Sequence, residues 1–440
     1  MRRPGPLGWG KALSGLLPGV RLRQVACSMA DQALSVGGML LVNLVLARTQ
    51  SRQDYGMFAL SCSVLTFLLG LHNAAILEPY TVFGSGRLQE HWAEYSRLMF
   101  ASNRVVGGAL MALVLGLYVM FHGMAPRFFP PVIAGLGAAV GLLFSGAMLR
   151  RTFYLQRQAS LAAAGSLIFF VTVGAGLGLA IRSRVLNGFS AFLILAVGWL
   201  AARLGLGHRL PSQKNWKIFH AAEPGYWREH WKYARWVLLT AFVFQLTTQG
   251  YYWLVAGLLS VRDVAELKAM SLVVAPADQI FIALNYLVLP VFSAQYAAGR
   301  MAELLAGWKW YATGIVAATL AFYLVIRVVG GRLTHLLYGG RYDDAAPLLA
   351  LLALLPAVMG IGHTMNAALK ASESPQLVFW AYVASGLVTF VAGMPLVVRF
   401  GLRGAVYGML GSGASYTAAL AVGFAKTFRW GRRQLAAAAG

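Results

Sequence analysis

The stretch from Met29 to Glu78 most limits what this chain can fold into, because it holds two long apolar runs joined by the polar turn Arg48 to Asp54. Each run is long enough to cross a bilayer, which takes about 20 residues of helix. Backbone polar groups inside a bilayer must pair with one another, and the alternating pattern of a membrane barrel is absent. The stretch therefore predicts a transmembrane helical hairpin.

Similar apolar runs recur along nearly the whole chain of 440 residues, of which 59% are hydrophobic and 12% are charged. Windowed hydropathy predicts about twelve spans. They cover residues 25–47, 56–83, 98–121, 129–149, 158–181, 186–206, 234–259, 266–293, 306–329, 345–369, 376–398 and 402–425. The predicted fold class is therefore an all-α polytopic membrane protein with about 12 transmembrane helices.

The chain carries a formal net charge of +23, from 37 Lys and Arg against 14 Asp and Glu. In a soluble protein this excess would indicate nucleic-acid binding. Here the segments on the same side of the membrane as the amino terminus hold about twice as many basic residues as the turns on the other side. The positive-inside rule then puts both termini of an inner-membrane protein in the cytoplasm, and no nucleic-acid partner is expected.

The longest polar interruption, Gly207 to Trp231, divides the spans into two sets of six and is rich in basic and aromatic residues. We interpret it as a cytoplasmic linker anchored by Trp, or alternatively as an interfacial helix that collects an anionic lipid. The predicted organisation is a basic amino-terminal segment, a first lobe, the linker, a second lobe and a basic tail, at residues 1–24, 25–206, 207–233, 234–425 and 426–440.

The two halves share a faint internal repeat. The chain reads SRQDYGMFALS from Ser51 after the first span and SVRDVAELKAM from Ser260 after the seventh, so that Asp54 and Asp263 have the same offset. Together with the equal numbers of spans, the repeat predicts two pseudo-symmetric six-helix lobes around an axis along the membrane normal.

Several of these strings resemble one transporter family. The opening hairpin, with Asp31-Gln32, the turn LARTQSRQDYG and the end Leu77-Glu78-Pro79, is similar to the start of bacterial polysaccharide flippases. These are the O-antigen and exopolysaccharide exporters of the multidrug/oligosaccharidyl-lipid/polysaccharide (MOP) superfamily. The segments LLYGGRYDDAAPLLALLALLP from Leu336, ALKASESP from Ala368 and PLVVRFGLRG from Pro395 resemble the later spans of that family.

The resemblance implies a function. Members of the family move an undecaprenyl-diphosphate-linked oligosaccharide from the cytoplasmic to the outer leaflet, between two lobes that open alternately. The implied partners are that lipid-linked substrate, membrane lipids and the machinery of polysaccharide polymerisation and export, and the implied location is the bacterial inner membrane. A sugar-diphosphate head cannot cross hydrocarbon unaided, because its hydroxyls and charges would lose water without replacement partners.

Two helices of the second lobe offer a polar lining for such a path. In the seventh span, polar side chains recur at helical spacing at Gln245, Thr248, Gln249 and Tyr252. In the eighth, they recur every seven residues at Ser271, Asp278 and Asn285, with Gln279 beside them. Amides, hydroxyls and an aromatic ring suit contacts with sugars. The alternative is hydrogen bonding between helices, worth about 0.6 kcal/mol each.

Three acids in or beside apolar runs have different predicted roles. A charged group at the centre of a span costs roughly 2.5 to 3.5 kcal/mol, so mid-span Asp278, just after Pro276, needs a proton, a cation or water. We expect Asp278 to couple movement of the lobes to a proton or ion. Asp31 and Glu78 lie nearer the interface, where a structural partner such as Arg104 or Arg97 is expected.

Candidate cations for the diphosphate are Arg104, Arg48 and Lys370, each near the end of a span. Each could instead extend to the interface, which is the commoner fate of basic residues there. The sequence predicts no cofactor, no metal site and no catalytic residue: no phosphate-binding loop occurs, and the histidines are scattered. Asp343-Asp344 has no third ligand nearby and is expected to be a solvated turn.

Three functions compete at this stage. The resemblance and the basic linker favour the polysaccharide flippase. The alternative is a drug or cation antiporter of the same superfamily, which also needs two six-helix lobes and few buried acids. A glycan polymerase or ligase ranks last, because such an enzyme needs a substantial outer loop, and the outer connections are mostly under about 15 residues.

Overall fold

The structure is a computed structural model that describes residues 22–86, 88–123, 130–210, 224–372 and 374–438. All regular structure in these ranges is helical, and it forms twelve long helical segments. They are α1 (Leu22–Thr49), α2 (Arg52–Ser85), α3 (Trp92–His122), α4 (Pro131–Leu155), α5 (Ala159–Arg182), α6 (Gly188–Leu206), α7 (Pro224–Leu258), α8 (Val261–Ala297), α9 (Met301–Tyr338), α10 (Asp343–Ala371), α11 (Pro375–Val391) and α12 (Gly393–Ala438). Most of the predicted amino-terminal segment and part of the predicted linker lie outside the described residues.

Each predicted span overlaps one helix, but α7 begins ten residues before its span, α9 ends nine residues after its own, and the last two helices divide at a different residue. Within the described ranges, eight helices are long and apolar enough to cross a membrane, or nine if α11 and α12 form one bent span. Helices α7 and α8 are not among the eight. The predicted gap before residue 402 falls inside α12, where Gly401 breaks the helix with φ 60° and ψ −138°. A residue without a Cβ tolerates this positive φ.

The packing of the helices repeats after six helices. In the first half α1 packs on α5, α3 on α4, α4 on α6, and α5 on α6. In the second half α7 packs on α11, α9 on α10, α10 on α12, and α11 on α12. Each of these pairs therefore has a counterpart six helices later, as a duplicated six-helix unit requires.

The repeated sequence motif has a local structural role. Ser51 caps α2 by accepting a hydrogen bond from the backbone N–H of Asp54, and its hydroxyl donates to the Asp54 carboxylate at 2.6 Å. Ser260 caps α8 through Asp263 in the same way, also at 2.6 Å. These contacts satisfy backbone groups that a helix start leaves unpaired. The shared offset of the two acids thus marks the start of the second helix in each half.

Helix α2 contains one wide turn. Asn73 to Leu77 form a π-helical turn between two α-helical stretches. Such turns are rare and often occur at functional sites. We call the end of the bundle that carries the α1–α2 turn the hairpin side, and the end that carries the start of α1 the termini side. The wide turn lies in the part of α2 nearer the termini side.

Candidate functional site

The two halves meet mainly along α2, which packs on α7 and α8. On the termini side, His230 at the start of α7 lies 2.8 Å from the carbonyl oxygen of Ala75 in the wide turn, and its other ring nitrogen lies 2.8 Å from the hydroxyl of Tyr95. Helix α7 is therefore in contact with α2 on the termini side. Helix α2 contacts α8 on the hairpin side, through Arg52 and Gly56.

On the hairpin side, Arg52 at the start of α2 connects to two helices of the second half. Its Nη1 donates to Oε1 of Glu266 on α8 at 2.6 Å, and its Nη2 donates to Oδ1 of Asp344 on α10 at 2.6 Å. The guanidinium lies 5.3 Å from the ring centroid of Tyr342. Charge-assisted hydrogen bonds of this length are among the stronger polar contacts. We call Arg52, Glu266 and Asp344 the ionic gate.

The expectation of a solvated turn at Asp343-Asp344 was incomplete. The Asp344 side chain is 60% exposed, yet it pairs with Arg52 across the halves. Asp343 pairs within its own half, with Nδ1 of His335 at 2.7 Å. The turn is therefore exposed to solvent and also helps to join the two halves on the hairpin side.

The backbones of α2 and α8 approach each other closely beside the gate. A Cβ built on Gly56 would overlap the carbonyl oxygen of Val261. The Arg341 guanidinium adds a further contact by donating to the carbonyl oxygen of Gln50 at 2.6 Å. Because glycine has no side chain, α2 and α8 can close on each other at this point.

Further along α2, the interface with α7 is made by paired side chains. Gln245 donates from Nε2 to the carbonyl oxygen of Thr66 at 3.2 Å, and its amide fills the space over Gly70. Thr248 donates to Oε1 of the same amide at 3.3 Å. Trp253 donates from Nε1 to Oγ of Ser63 at 2.8 Å. These contacts join α2 to α7 between Ser63 and Gly70.

On the termini side of Gln245 lies a cavity of about 760 Å³ between α2, α7, α11 and the end of α10. We call it the large cavity. Its aromatic lining residues are Tyr233, Trp236, Phe244, Phe379, Trp380 and Tyr382. Its polar and charged lining residues are Asn73, Glu78, Thr240, Gln245, Lys370 and Gln376. The surface thus combines flat rings with amides and one charge of each sign.

The polar groups of the large cavity are held by neighbours. Arg151 of α4 donates from Nη2 to Oδ1 of Asn73 at 2.8 Å. The hydroxyl of Tyr233 donates to Oε1 of Glu78 at 3.4 Å. Lys370 adds an ammonium to the lining that also holds the Glu78 carboxylate. The cavity can therefore offer hydrogen-bond donors, acceptors and a cation to one ligand.

A second cavity of about 240 Å³ lies on the hairpin side of Gln245. We call it the small cavity. It is lined by α2, α7, α8, α10 and α12, and its polar lining residues are Thr66, Thr248, Gln249, Tyr252, Lys268 and Ser271. Gln245 lines the large cavity, whereas its partners Thr66 and Thr248 line the small one. The Gln245 amide therefore stands between the two cavities.

Asp31 lies away from both cavities, fully buried between α1, α4 and α5. Its carboxylate accepts from Arg150 Nη2 at 2.6 Å, from the Tyr154 hydroxyl at 2.6 Å and from the Ser166 hydroxyl at 2.5 Å. The partner is thus Arg150, not the expected Arg104 or Arg97. Sequence separation hid this pair, because Arg150 is 119 residues further along the chain.

The predicted path residues lie in several places. Gln245 and Lys370 line the large cavity, and Thr248, Gln249 and Tyr252 line the small one. Arg48 is exposed on the hairpin side, next to Gly339 of the α9–α10 connection, and Arg104 is exposed on α3. Neither lines the two cavities. The side chains of Asp278, Gln279 and Asn285 lie outside the described residues.

Sequence reasoning missed three charged residues between the two halves: Arg52 and Glu266 of the ionic gate, and Lys268 of the small cavity. Arg52 resembles an ordinary turn residue, and its partner Glu266 is 214 residues away. Glu266 and Lys268 stand at the start of a span, where charged residues usually reach the interface. A usable indication was that both lie within the helix that follows the repeated capping motif.

No family model matches this sequence, and no curated protein sequence matches it. Solved structures, in contrast, overlay on most of the chain. A multidrug resistance MATE family transporter of the MOP superfamily in an inward-facing conformation gives a TM-score of 0.75 at 12% identity, covering 93% of this chain and 98% of that one. The outward-facing conformation of a MATE family transporter of the MOP superfamily gives 0.66 at 12% identity, covering 97% and 96%. The fold is that of the MOP superfamily transporters.

A lipid flippase shares this fold. The lipid II flippase MurJ in an inward closed conformation gives a TM-score of 0.67 at 13% identity, covering 92% of this chain and 89% of that one. The MOP fold confirms the predicted all-α membrane architecture of two pseudo-symmetric lobes. Both cavities lie at the junction of those lobes, beside the contact of α2 with α7.

Proposed function

We propose that this chain is a flippase that moves an undecaprenyl-diphosphate-linked oligosaccharide across a bacterial inner membrane by alternating access. The observation that carries the proposal is the large cavity, which lies between the lobes on the termini side and is closed on the hairpin side by the ionic gate. By the positive-inside rule, the termini side faces the cytoplasm. The cavity is thus on the side where a newly made lipid-linked oligosaccharide is found.

The lining of the large cavity suits such a headgroup. Its volume lies in the range of pockets that hold organic ligands, about 300 to 1,000 Å³. Trp236 and Trp380 offer flat apolar faces to sugar rings, and Asn73 and Gln245 offer amide groups to hydroxyls. Lys370 offers a cation to phosphate. The prenyl tail can stay in lipid while the protein replaces the water of the head.

Movement of the head toward the hairpin side requires two seals to open. The first is the contact of Gln245 with Thr66, and the second is the ionic gate. The better overlay on the inward-facing MATE transporter than on the outward-facing one supports a cytoplasm-open conformation here. In the opposite conformation the gate would be broken and the large cavity closed.

The proposal extends to organisation and partners. Residues 25–206 and 234–425 would form the two lobes, with the basic segments and both termini in the cytoplasm. The chain would hand its substrate to a polymerase or export machinery for O-antigen or exopolysaccharide. Catalysis has no part in this proposal, because the lipid-linked substrate is moved without chemical change.

A drug or cation antiporter is the second candidate. It is favoured by Glu78, which gives the large cavity a carboxylate that could hold a cationic drug or a proton. The overlays on MATE transporters also support it. An antiporter would bind organic cations and would leave lipid-linked oligosaccharide in its original leaflet.

Proteoliposomes test the proposal. Wild-type protein and empty vesicles receive the same lipid-linked oligosaccharide, and exposure of its sugar is measured with an added lectin or glycosidase. We expect the protein to speed exposure. If folded protein with its host's substrate performs no better than empty vesicles, the flippase proposal fails, and drug-driven proton flux tests the antiporter.

We propose that Asp278 couples transport to a proton or cation, because it is an acid in mid-span directly after Pro276. In the same proteoliposomes, Asp278→Asn is expected to remove the dependence of exposure on an imposed ion gradient. Asp278→Glu keeps the charge and should retain that dependence. An unchanged gradient dependence in Asp278→Asn contradicts the proposal.

Gly56→Ala is expected to hinder closure of the hairpin side, because its methyl group would overlap the Val261 carbonyl oxygen, which cannot rotate away. Overpacking of this kind costs about 1 to 3 kcal/mol, which changes the equilibrium between two conformations by a factor of about 5 to about 150. Thiol labelling of the native Cys62, which is buried on α2, should rise in a Cys27→Ser background. Gly108→Ala on α3, where nothing lies near the new methyl group, is the matched control. Equal labelling in both variants would rule this effect out.

A further inference from the structure

The small cavity holds a positive charge that no carboxylate neutralises among the described residues. Lys268 lies two turns into α8, and its Nζ is 5.3 Å from the ring centroid of Tyr252. In the part of the chain described here, no acid lies within ion-pair distance of this ammonium. The nearest acid along the helix, Glu266, is already paired with Arg52. A partly buried ammonium that lines a cavity between helices calls for a counter-charge or water.

Hydrogen-bond donors surround that charge. Ser271 lies three residues after Lys268, on the same face of α8, and its buried Oγ has no hydrogen-bond partner among the residues that the structure describes. Gln249 on the facing helix α7 also lines the cavity, and within the described part of the chain its Nε2 makes one long contact, 3.5 Å, to the Thr248 hydroxyl. An ammonium, a hydroxyl and an amide nitrogen all donate hydrogen bonds. This combination complements an oxyanion.

The size of the cavity narrows the ligand. At about 240 Å³, the small cavity has about a third of the volume of the large cavity, which is about 760 Å³. That space takes one phosphate or carboxylate group with some water, and not an oligosaccharide. The large cavity differs, since its lining holds the Glu78 carboxylate as well as the Lys370 ammonium. The small cavity is therefore the better place for an unbalanced anion.

We propose that the small cavity is an oxyanion site in which Lys268, Ser271 and Gln249 hold a phosphate group. Resting on the proposed function, that group is the phosphate of the lipid-linked substrate, received after the Gln245 amide leaves Thr66. The site then lies on the route from the large cavity to the ionic gate. Binding an anion beside Lys268 also places negative charge near the gate acid Glu266.

Phosphate binding tests the site directly. Full-length protein in nanodiscs of neutral lipid is dialysed to equilibrium against radiolabelled inorganic phosphate at low ionic strength. We expect Lys268→Met to weaken binding at least about tenfold and Ser271→Ala about threefold, because each removes a donor to the anion. Lys268→Arg should stay within about threefold of wild type. Lys309→Met, at an exposed lysine of α9, is the matched control.

Competition separates the two sources of the anion. Undecaprenyl phosphate added to the nanodiscs should displace the labelled phosphate, whereas undecaprenol should not. If inorganic phosphate binds through Lys268 but the lipid phosphate does not displace it, the site takes a free anion and its place in the route is wrong. If Lys268→Met and Lys309→Met bind phosphate equally, the oxyanion site itself is wrong.

Two further measurements keep the test decisive. Thermal unfolding in the nanodiscs checks that each variant is folded, and Gln249→Leu replaces Lys268→Met if the latter does not fold. Binding through Lys268 without exposure of oligosaccharide in proteoliposomes would keep the site and overturn the flippase. Exposure that survives Lys268→Met unchanged, together with unchanged phosphate binding, would keep the flippase and overturn the site.

Discussion

Arg52→Met is expected to lower transport at least about tenfold and to open the hairpin side. The substitution keeps much of the side-chain length but removes every donor to Glu266 and Asp344. Glu266, only 19% exposed, would then keep a charge without its partner in the closed conformation, which carries a penalty that opening to water relieves. The balance of conformations should therefore move away from the form with the large cavity open.

Spin-label distances measure that shift. Labels at Gln53→Cys and Arg262→Cys, at the exposed starts of α2 and α8, report the separation of the lobes in a background free of Cys27 and Cys62. Arg332→Met, at an exposed arginine on the hairpin side of α9, should leave both the distance and transport unchanged. The charge exchange Arg52→Glu with Glu266→Arg should recover part of the closed population. A distance unchanged by Arg52→Met would remove the gate from the mechanism.

Asp31→Asn is expected to lower the free energy of unfolding by about 3 to 5 kcal/mol, the range for breaking a buried ion pair. Asn keeps the shape of the side chain but leaves the Arg150 guanidinium without its carboxylate between α1, α4 and α5. Thermal or denaturant unfolding of purified protein measures the loss. Glu303→Gln breaks the exposed pair with Arg300 at 3.3 Å and should cost less than about 1 kcal/mol.

A double variant tests the cause of that loss. Asp31→Asn combined with Arg150→Met removes both charges, so much of the lost stability should return. If the double variant is no more stable than Asp31→Asn alone, the loss comes from packing or from the hydrogen bonds of Tyr154 and Ser166. Asp31 pairs with residues of α4 and α5 and lines neither cavity, so its loss should lower stability without changing the lining of the cavities.

The sequence predicted the helices well because the property that defines a span is local. Apolar runs of about 20 residues identify a membrane helix without reference to its neighbours. The polar face of α7 was equally visible, since helical spacing puts Gln245, Thr248 and Gln249 on related faces. These residues do lie at the two cavities, although their part in transport stays a prediction.

The charged contacts were not predictable in the same way, because each joins residues far apart in the chain. Arg52 lies 292 residues from Asp344, and Arg150 lies 119 from Asp31. Nothing in hydropathy links such pairs. Lys268 was missed for a different reason: a basic residue near the start of a span usually reaches water, whereas this one faces a cavity between helices. Packing decides which of these fates a residue has.

The capping contacts at Ser51 and Ser260 also bear on how the chain is made. Each joins residues only three apart, so the start of α2 or α8 can form without help from the other half. The ribosome completes α1 to α6 before it begins α7, and domains generally fold as units in the order of their synthesis. The first lobe can thus assemble in the membrane while its future partner is still being translated. The contacts of the ionic gate can form only after the second lobe has been made, so they form late in folding.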